Sequence, residues 1–240
     1  MKFCRRTVLQ VALCSALGLA LGASALAADN AYLYLVQGIP GYDVSKNLNP
    51  GYPVDILIDG DCLVRGLTFS NTSGPLSLSA GTYDVQISEA NSLAPCTNAA
   101  VSSAQVAVEA TTSTTIVAAL NGSAQPTLLQ FADNLSPVTA GNARFVFANA
   151  ADAPALQATL TQVYVKNPKT FTLTAASGAE ASASVTAGTY LVQVIASGST
   201  TVLASEQMGL ADQSATFTYA AGEAANNSVG LINRVVKEVF

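Results

Sequence analysis

The chain contains no histidine and no tryptophan, and only 10% of its 240 residues are charged. Without histidine neither a Ser-His-Asp nor a Cys-His triad can be built, and imidazole-rich zinc sites are excluded as well. Without tryptophan, any aromatic platform has to be tyrosine or phenylalanine. Cations are scarce, ten Lys and Arg against 15 Asp and Glu, and they are scattered along the chain. A polyanion binder needs a basic stripe, so nucleic acid is not an expected partner. Beyond the first 28 residues there is no long hydrophobic run and no sustained 3.6-residue apolar period, which disfavours helix and a membrane-spanning segment in the mature chain.

Residues 1–28 read as a secretory signal. Lys2, Arg5 and Arg6 precede an apolar stretch from Val8 to Ala23, and Ala25-Leu26-Ala27 supplies small residues for cleavage. The expected location is therefore exported, either periplasmic or extracellular at the cell surface. Removing this segment leaves seven cations and all 15 acidic residues, a formal net charge of −8. It also removes Cys4 and Cys14, so Cys62 and Cys96 remain as a pair in an oxidising compartment. A disulfide between them closes a loop worth roughly 3 to 4 kcal/mol in chain entropy.

One phrase occurs twice. Ala80-Gly81-Thr82-Tyr83-Asp84-Val85-Gln86-Ile87 returns as Ala187-Gly188-Thr189-Tyr190-Leu191-Val192-Gln193-Val194. Each copy joins a turn to an alternating strand, and the separation suits a small β-sandwich rather than a solenoid repeat. In the first half, strands are predicted at 32–36, 54–58, 62–64, 67–69, 76–78, 81–87, 103–108 and 114–120, with Asp59-Gly60 as a tight hairpin turn and a turn at 71–75. In the second half they are predicted at 144–147, 162–165, 171–173, 188–194, 201–204, 216–219 and 229–236, with a loop at 149–154. The expected fold is all-β: two tandem immunoglobulin-like or transthyretin-like antiparallel β-sandwich domains after the signal, at 29–137 and 138–240.

Pro53-Val54-Asp55-Ile56-Leu57-Ile58-Asp59-Gly60, followed about twenty residues later by Ala80-Gly81-Thr82-Tyr83, resembles the bacterial exported domain of unknown function 4397. A second, divergent copy is suggested by Asp152-Ala153-Pro154 and by Gln162-Val163-Tyr164-Val165, which is similar to the family's Val-Asp-Val-Tyr-Val strand. The resemblance implies a β-sandwich on an exported protein and carries over no catalytic residue.

Asp55, Asp59 and Asp61 form the densest carboxylate cluster and are a weak candidate for a hard cation, but Asp59-Gly60 is first of all turn chemistry, and no metal or other cofactor is expected. Tyr83 and Tyr190 are expected to pack in the cores with their hydroxyls tied to backbone. The loop between Tyr42 and Tyr52, with Asn47 and Asn49, exceeds what a hairpin needs and is the candidate partner contact. The expected function is that of a noncatalytic exported interaction or structural protein of the cell envelope, its partner an envelope protein or carbohydrate. The alternative is a periplasmic or secreted protein binding carbohydrate or a small molecule between its domains.

Overall fold

A computed structural model describes residues 30–41 and 52–237; the signal segment, Tyr42, Asn47 and Asn49 lie outside them. The first half forms β1 (Asn30–Gln37), β2 (Val54–Ile58), β3 (Asp61–Leu67), β4 (Thr72–Ser79), β5 (Gly81–Glu89), β6 (Ala100–Val108), β7 (Ser113–Leu120) and β8 (Pro126–Asp133). The second half forms β9 (Asn142–Asp152), β10 (Leu156–Gln162), β11 (Thr170–Ala175), β12 (Glu180–Thr186), β13 (Gly188–Ala196), β14 (Val202–Leu210), β15 (Ala215–Glu223) and β16 (Gly230–Val236). Among the described residues there are four four-stranded sheets, ordered β3-β2-β5-β6 and β4-β1-β7-β8, then β11-β10-β13-β14 and β12-β9-β15-β16. Adding eight to each strand number of the first pair yields the second, so the repeated phrase marks a duplication of the whole topology. Pairing is antiparallel except for β1 with β7 and β9 with β15. These two parallel pairs are the exceptions within otherwise antiparallel sandwiches; the intervening chain, most of it in the opposite sheet, supplies the crossover that parallel neighbours require.

Local chemistry explains the turns and the repeat. Asp59 and Gly60 have φ of 50° and 85°, the two positive angles of a tight hairpin. In the repeated strands, Tyr83 donates its hydroxyl to the Ser79 carbonyl at 2.8 Å and Tyr190 to the Thr186 carbonyl at 2.7 Å, each four residues back. Tyr190 is fully buried, and burial raises its pKa.

Four placements differ from expectation. Leu67 ends β3 and the turn falls at 68–71, so 72–79 is one strand rather than a turn followed by a short strand. Strands β8 and β12 were not anticipated, because Thr127, Gln130 and the Ala/Ser alternation of β12 give little hydrophobic contrast. The second strand of the second half lies at Leu156–Gln162, where Leu156, Ala158 and Leu160 are buried and alternate with Gln157 and Thr159. Residues 163–165, read as strand, form an exposed turn.

Three cores hold the molecule together. One lies within the first sandwich and includes Leu33, Leu35, Ile56, Val85, Ile87 and Ile116. Another lies within the second and includes Phe145, Phe147, Leu160, Tyr190, Val192 and Val194. The third joins the sandwiches: Val36, Val117, Ala119 and Phe131 pack against Val146, Ala148, Phe217, Tyr219, Ala221 and Ile232. The sheets containing β1 and β9 are therefore the inner sheets of a four-layer stack, and their central strands β7 and β15 are buried on both faces. This is why β7 and β15 read as nearly unbroken buried runs instead of alternating ones. Gly38 lies at the closest approach, where a Cβ would stand 2.7 Å from Ala221 Cβ and 2.9 Å from the Ala118 carbonyl oxygen.

Candidate functional site

The aspartates of the first hairpin do not converge. Asp55 is buried, and its carboxylate accepts from the backbone N–H groups of Gly66 at 2.8 Å, Cys96 at 2.7 Å and Asn91 at 3.2 Å. Asp59 lies at the other end of β2, accepting from the Asp84 N–H at 2.7 Å. Among the described residues no group of three acidic or cysteine side chains is placed to hold a metal ion, and Asp55 and Asp59 are structural acceptors pinned by different backbone segments. Cys62 and Cys96 form the disulfide, with Cα atoms 5.9 Å apart. Together, bridge and carboxylate hold the 90–99 loop against β3. A cleft of about 450 Å³ opens beside them, lined by Pro53, Asp55, Arg65, Gly66, Asn91 and Pro95 among others. Its carboxylate is already engaged and its arginine is exposed, so the cleft presents no acid–base pair.

Tyr52 is buried rather than presented at the surface. It is only 7% exposed, belongs to the first core, and its carbonyl accepts from Gln37 Nε2 at 2.6 Å. Its pKa is raised by burial and then by the charge of Glu89. A polar residue beside a long loop can be its anchor as readily as its tip, and Tyr52 is the anchor.

The space between the sandwiches is filled rather than open to ligand. Besides its apolar core it holds a buried ion pair, Arg234 Nη2 to Asp133 Oδ1 at 2.6 Å. Ser113 and Thr115 donate to the same carboxylate at 2.6 and 2.9 Å, and Arg234 donates to the Thr115 hydroxyl at 3.1 Å. The guanidinium carbon lies 4.0 Å from the Tyr34 ring centroid and 4.3 Å from that of Phe217. Arg234 comes from β16 and its partners Asp133, Thr115 and Tyr34 from the first sandwich. This cross-domain clamp was not visible in sequence, because Asp133 lies on unrecognised β8 and nothing local pairs it with a residue so distant in the chain.

With the inner sheets packed together, the outer sheets present the broad free surfaces, and their faces differ. In the second sandwich Thr161 stands between Thr170 and Leu191, and Leu191 opposite Gln207; Thr159 stands between Thr172 and Gln193, and Gln193 opposite Ser205; Gln157 stands between Thr174 and Ile195. None of these side chains is charged. By register, Asp55 and Asp84 of the first sandwich occupy the places of Gln157 and Leu191, and Asp59 that of Thr161. This corrects the alignment of the second copy: the counterpart of Asp55 is Gln157, not Gln162.

At one end of the face the chain turns through Tyr164, which is 84% exposed with φ of 64°. Its hydroxyl donates to Gln207 Oε1 at 3.2 Å, so the side chain reaches from the end of β10 to the outward side chain of β14. The base of this turn is fixed by bonds from Gln162 N to the Lys169 carbonyl at 2.9 Å and from Val163 N to the Thr189 carbonyl at 3.0 Å.

Among curated proteins none matches this sequence. Solved structures that resemble it include a candidate cell adhesion protein from Bacteroides ovatus, at 8% identity over 89% of this chain and 99% of that one, with a TM-score of 0.29. The Bacillus anthracis TIE protein is another, at 9% identity over 85% of this chain and 34% of that one, with a TM-score of 0.26. Superposition this loose carries no argument about fold or role. The family described as "Domain of unknown function (DUF4397)" matches residues 31–159, which contain the first sandwich, β9 and the start of β10. More than half of the chain lies within that match, and the protein belongs to the DUF4397 family.

Proposed function

We propose that this is a noncatalytic exported protein that acts by presenting β-sheet surface to a component of the cell envelope or its surroundings. The observation that carries the reading is the stacking of the inner sheets, which fixes two sandwiches as one body and leaves the outer faces as its main exposed surfaces. Its buried acidic side chains support this: Asp55 secures a loop and Asp133 holds the two sandwiches together. The Cys62–Cys96 bridge fits an oxidising compartment. No helix among the described residues is long and apolar enough to cross a membrane.

The test combines fractionation of native cells, protease shaving of intact cells, and rebinding of the purified chain to stripped envelopes. Recovery outside the cytoplasm together with saturable rebinding is the expected result. Retention in the cytoplasm, or no rebinding, overturns the proposal.

A further inference from the structure

We infer that the outer face of the second sandwich, with Tyr164 at its end, is a docking surface for a neutral polysaccharide. This rests on the reading of the protein as an exported interaction module and names the partner of one of its faces.

The first support is the chemistry of the face. Thr159, Thr161, Thr172, Gln193 and Gln207 lie in adjacent cross-strand rows, and their hydroxyls and amides both donate and accept hydrogen bonds. Sugar hydroxyls have the same dual character, whereas an ionic partner is met by opposite charge. Internal bonds engage this surface only lightly, through the Thr161–Thr170 hydroxyl contact at 3.4 Å and the Tyr164–Gln207 bond. The second support is the contrast between the two copies. The chain is acidic and places Asp59 and Asp84 where the second sandwich carries Thr161 and Leu191, and its Asp55, covered by the 90–99 loop, stands where the second has the uncovered Gln157.

The third support is Tyr164 itself. Its exposed ring makes no contribution to a core, and a left-handed backbone at a bulky residue is a cost that recurs at ligand clamps. The hydrogen bond to Gln207 restrains the ring at the end of the polar rows, where it offers a large amphipathic surface with little conformational entropy left to lose. A pyranose ring stacked on Tyr164 leaves the next sugars of the chain over the Thr and Gln rows.

Affinity electrophoresis of the full mature chain through gels containing hydroxyethyl cellulose, yeast mannan or arabinogalactan tests this, with alginate as a polyanion. At least one neutral polymer is expected to retard the protein, and raised salt to leave the retardation unchanged. Tyr164→Ala is expected to weaken binding about tenfold, the size of one aromatic contact. Thr159→Val combined with Gln193→Leu, which keeps β-compatible shapes, is expected to weaken it further, with melting temperatures of both variants near wild type. Three results overturn the inference: no retardation by any neutral polymer, undiminished binding by both variants, or retardation by alginate alone that salt abolishes. The last assigns the turn's Lys166 and Lys169 to an anionic partner instead. Envelope rebinding that survives any of these results leaves the broader function standing and removes only the polysaccharide.

Discussion

Breaking the Arg234–Asp133 pair is the sharpest test of how the two sandwiches are joined. Asp133 has a fully buried side chain and Arg234 is 7% exposed, so this is not a surface pair of the kind worth about 1 kcal/mol or less. Removing Arg234 leaves the Asp133 carboxylate buried with hydroxyl donors only. Removing Asp133 leaves a guanidinium between the Tyr34 and Phe217 rings whose Nε and Nη1 already have no hydrogen-bond partner. Arg234→Met and Asp133→Leu are each expected to cost about 3 to 5 kcal/mol, whereas the double variant, which replaces the charges with apolar groups, is expected to equal or exceed wild type. For a chain of this length the single losses correspond to a fall in melting temperature of roughly 6 to 20 °C. Calorimetry of the four proteins reads both the cost and the cooperativity, and the singles are expected to separate one transition into two as the sandwiches uncouple. Single losses below about 1 kcal/mol, or additive effects across the cycle, would refute the clamp.

Gly38→Val forces a side chain to within 2.7 Å of Ala221 Cβ and 2.9 Å of the Ala118 carbonyl oxygen; thermal melting is expected to show a loss of about 1 to 3 kcal/mol, only partly recovered by Ala221→Gly because the carbonyl remains. Asp55→Asn leaves one carbonyl oxygen for three N–H donors, with an expected loss of about 1 to 3 kcal/mol in urea unfolding and faster exchange of the Asn91 and Cys96 amides. Tyr219 is pushed up to about 12, first by burial and then by the charge of Asp133. The folded state therefore keeps a proton that the unfolded state releases above pH 10. Stability is expected to be whole below pH 10 and to fall by about 2 kcal/mol by pH 12. The Tyr219 hydroxyl lies beside Thr115 and Arg234 in hydrogen-bond geometry with neither, so Tyr219→Phe is expected to flatten this alkaline slope without loss at neutral pH; an unchanged slope would contradict the assignment.

Strands with one face in a core and one in water were legible. The two Tyr-containing strands alternate because their inward residues fill a sandwich while Gln86 or Gln193 faces out. The inner strands carry a different message, since both faces of β7 and β15 are buried. Ser113, Thr114, Thr115, Thr216 and Thr218 are buried alongside the apolar residues of these strands, so periodicity does not show that something packs against the back of the sheet. Arg234 and Asp133 were equally opaque: a scattered cation and a carboxylate on an unrecognised strand acquire a role only when the second inner sheet brings them together.

The site was hidden for the opposite reason. Val163-Tyr164-Val165 has the composition of a strand, whereas in the true strand, Leu156–Gln162, the small Ala158 at the core position between Leu156 and Leu160 weakens the apolar alternation. Tertiary packing decides the matter: Ala158 fits the crowded interior opposite Leu173 and Val194, while Tyr164 and Val165 are left in water. An apolar segment that conflicts with its own local preference is where a fold departs from pure stability. Here the departure adjoins the face that carries Gln157, Thr161 and Leu191 where the first sandwich carries Asp55, Asp59 and Asp84. The first copy uses Asp55 to hold a disulfide-linked loop, and the second, having no such loop, presents a glutamine at the same register position. Relieved of that structural task, the strand carries an uncharged surface, and Tyr164 stands at its end.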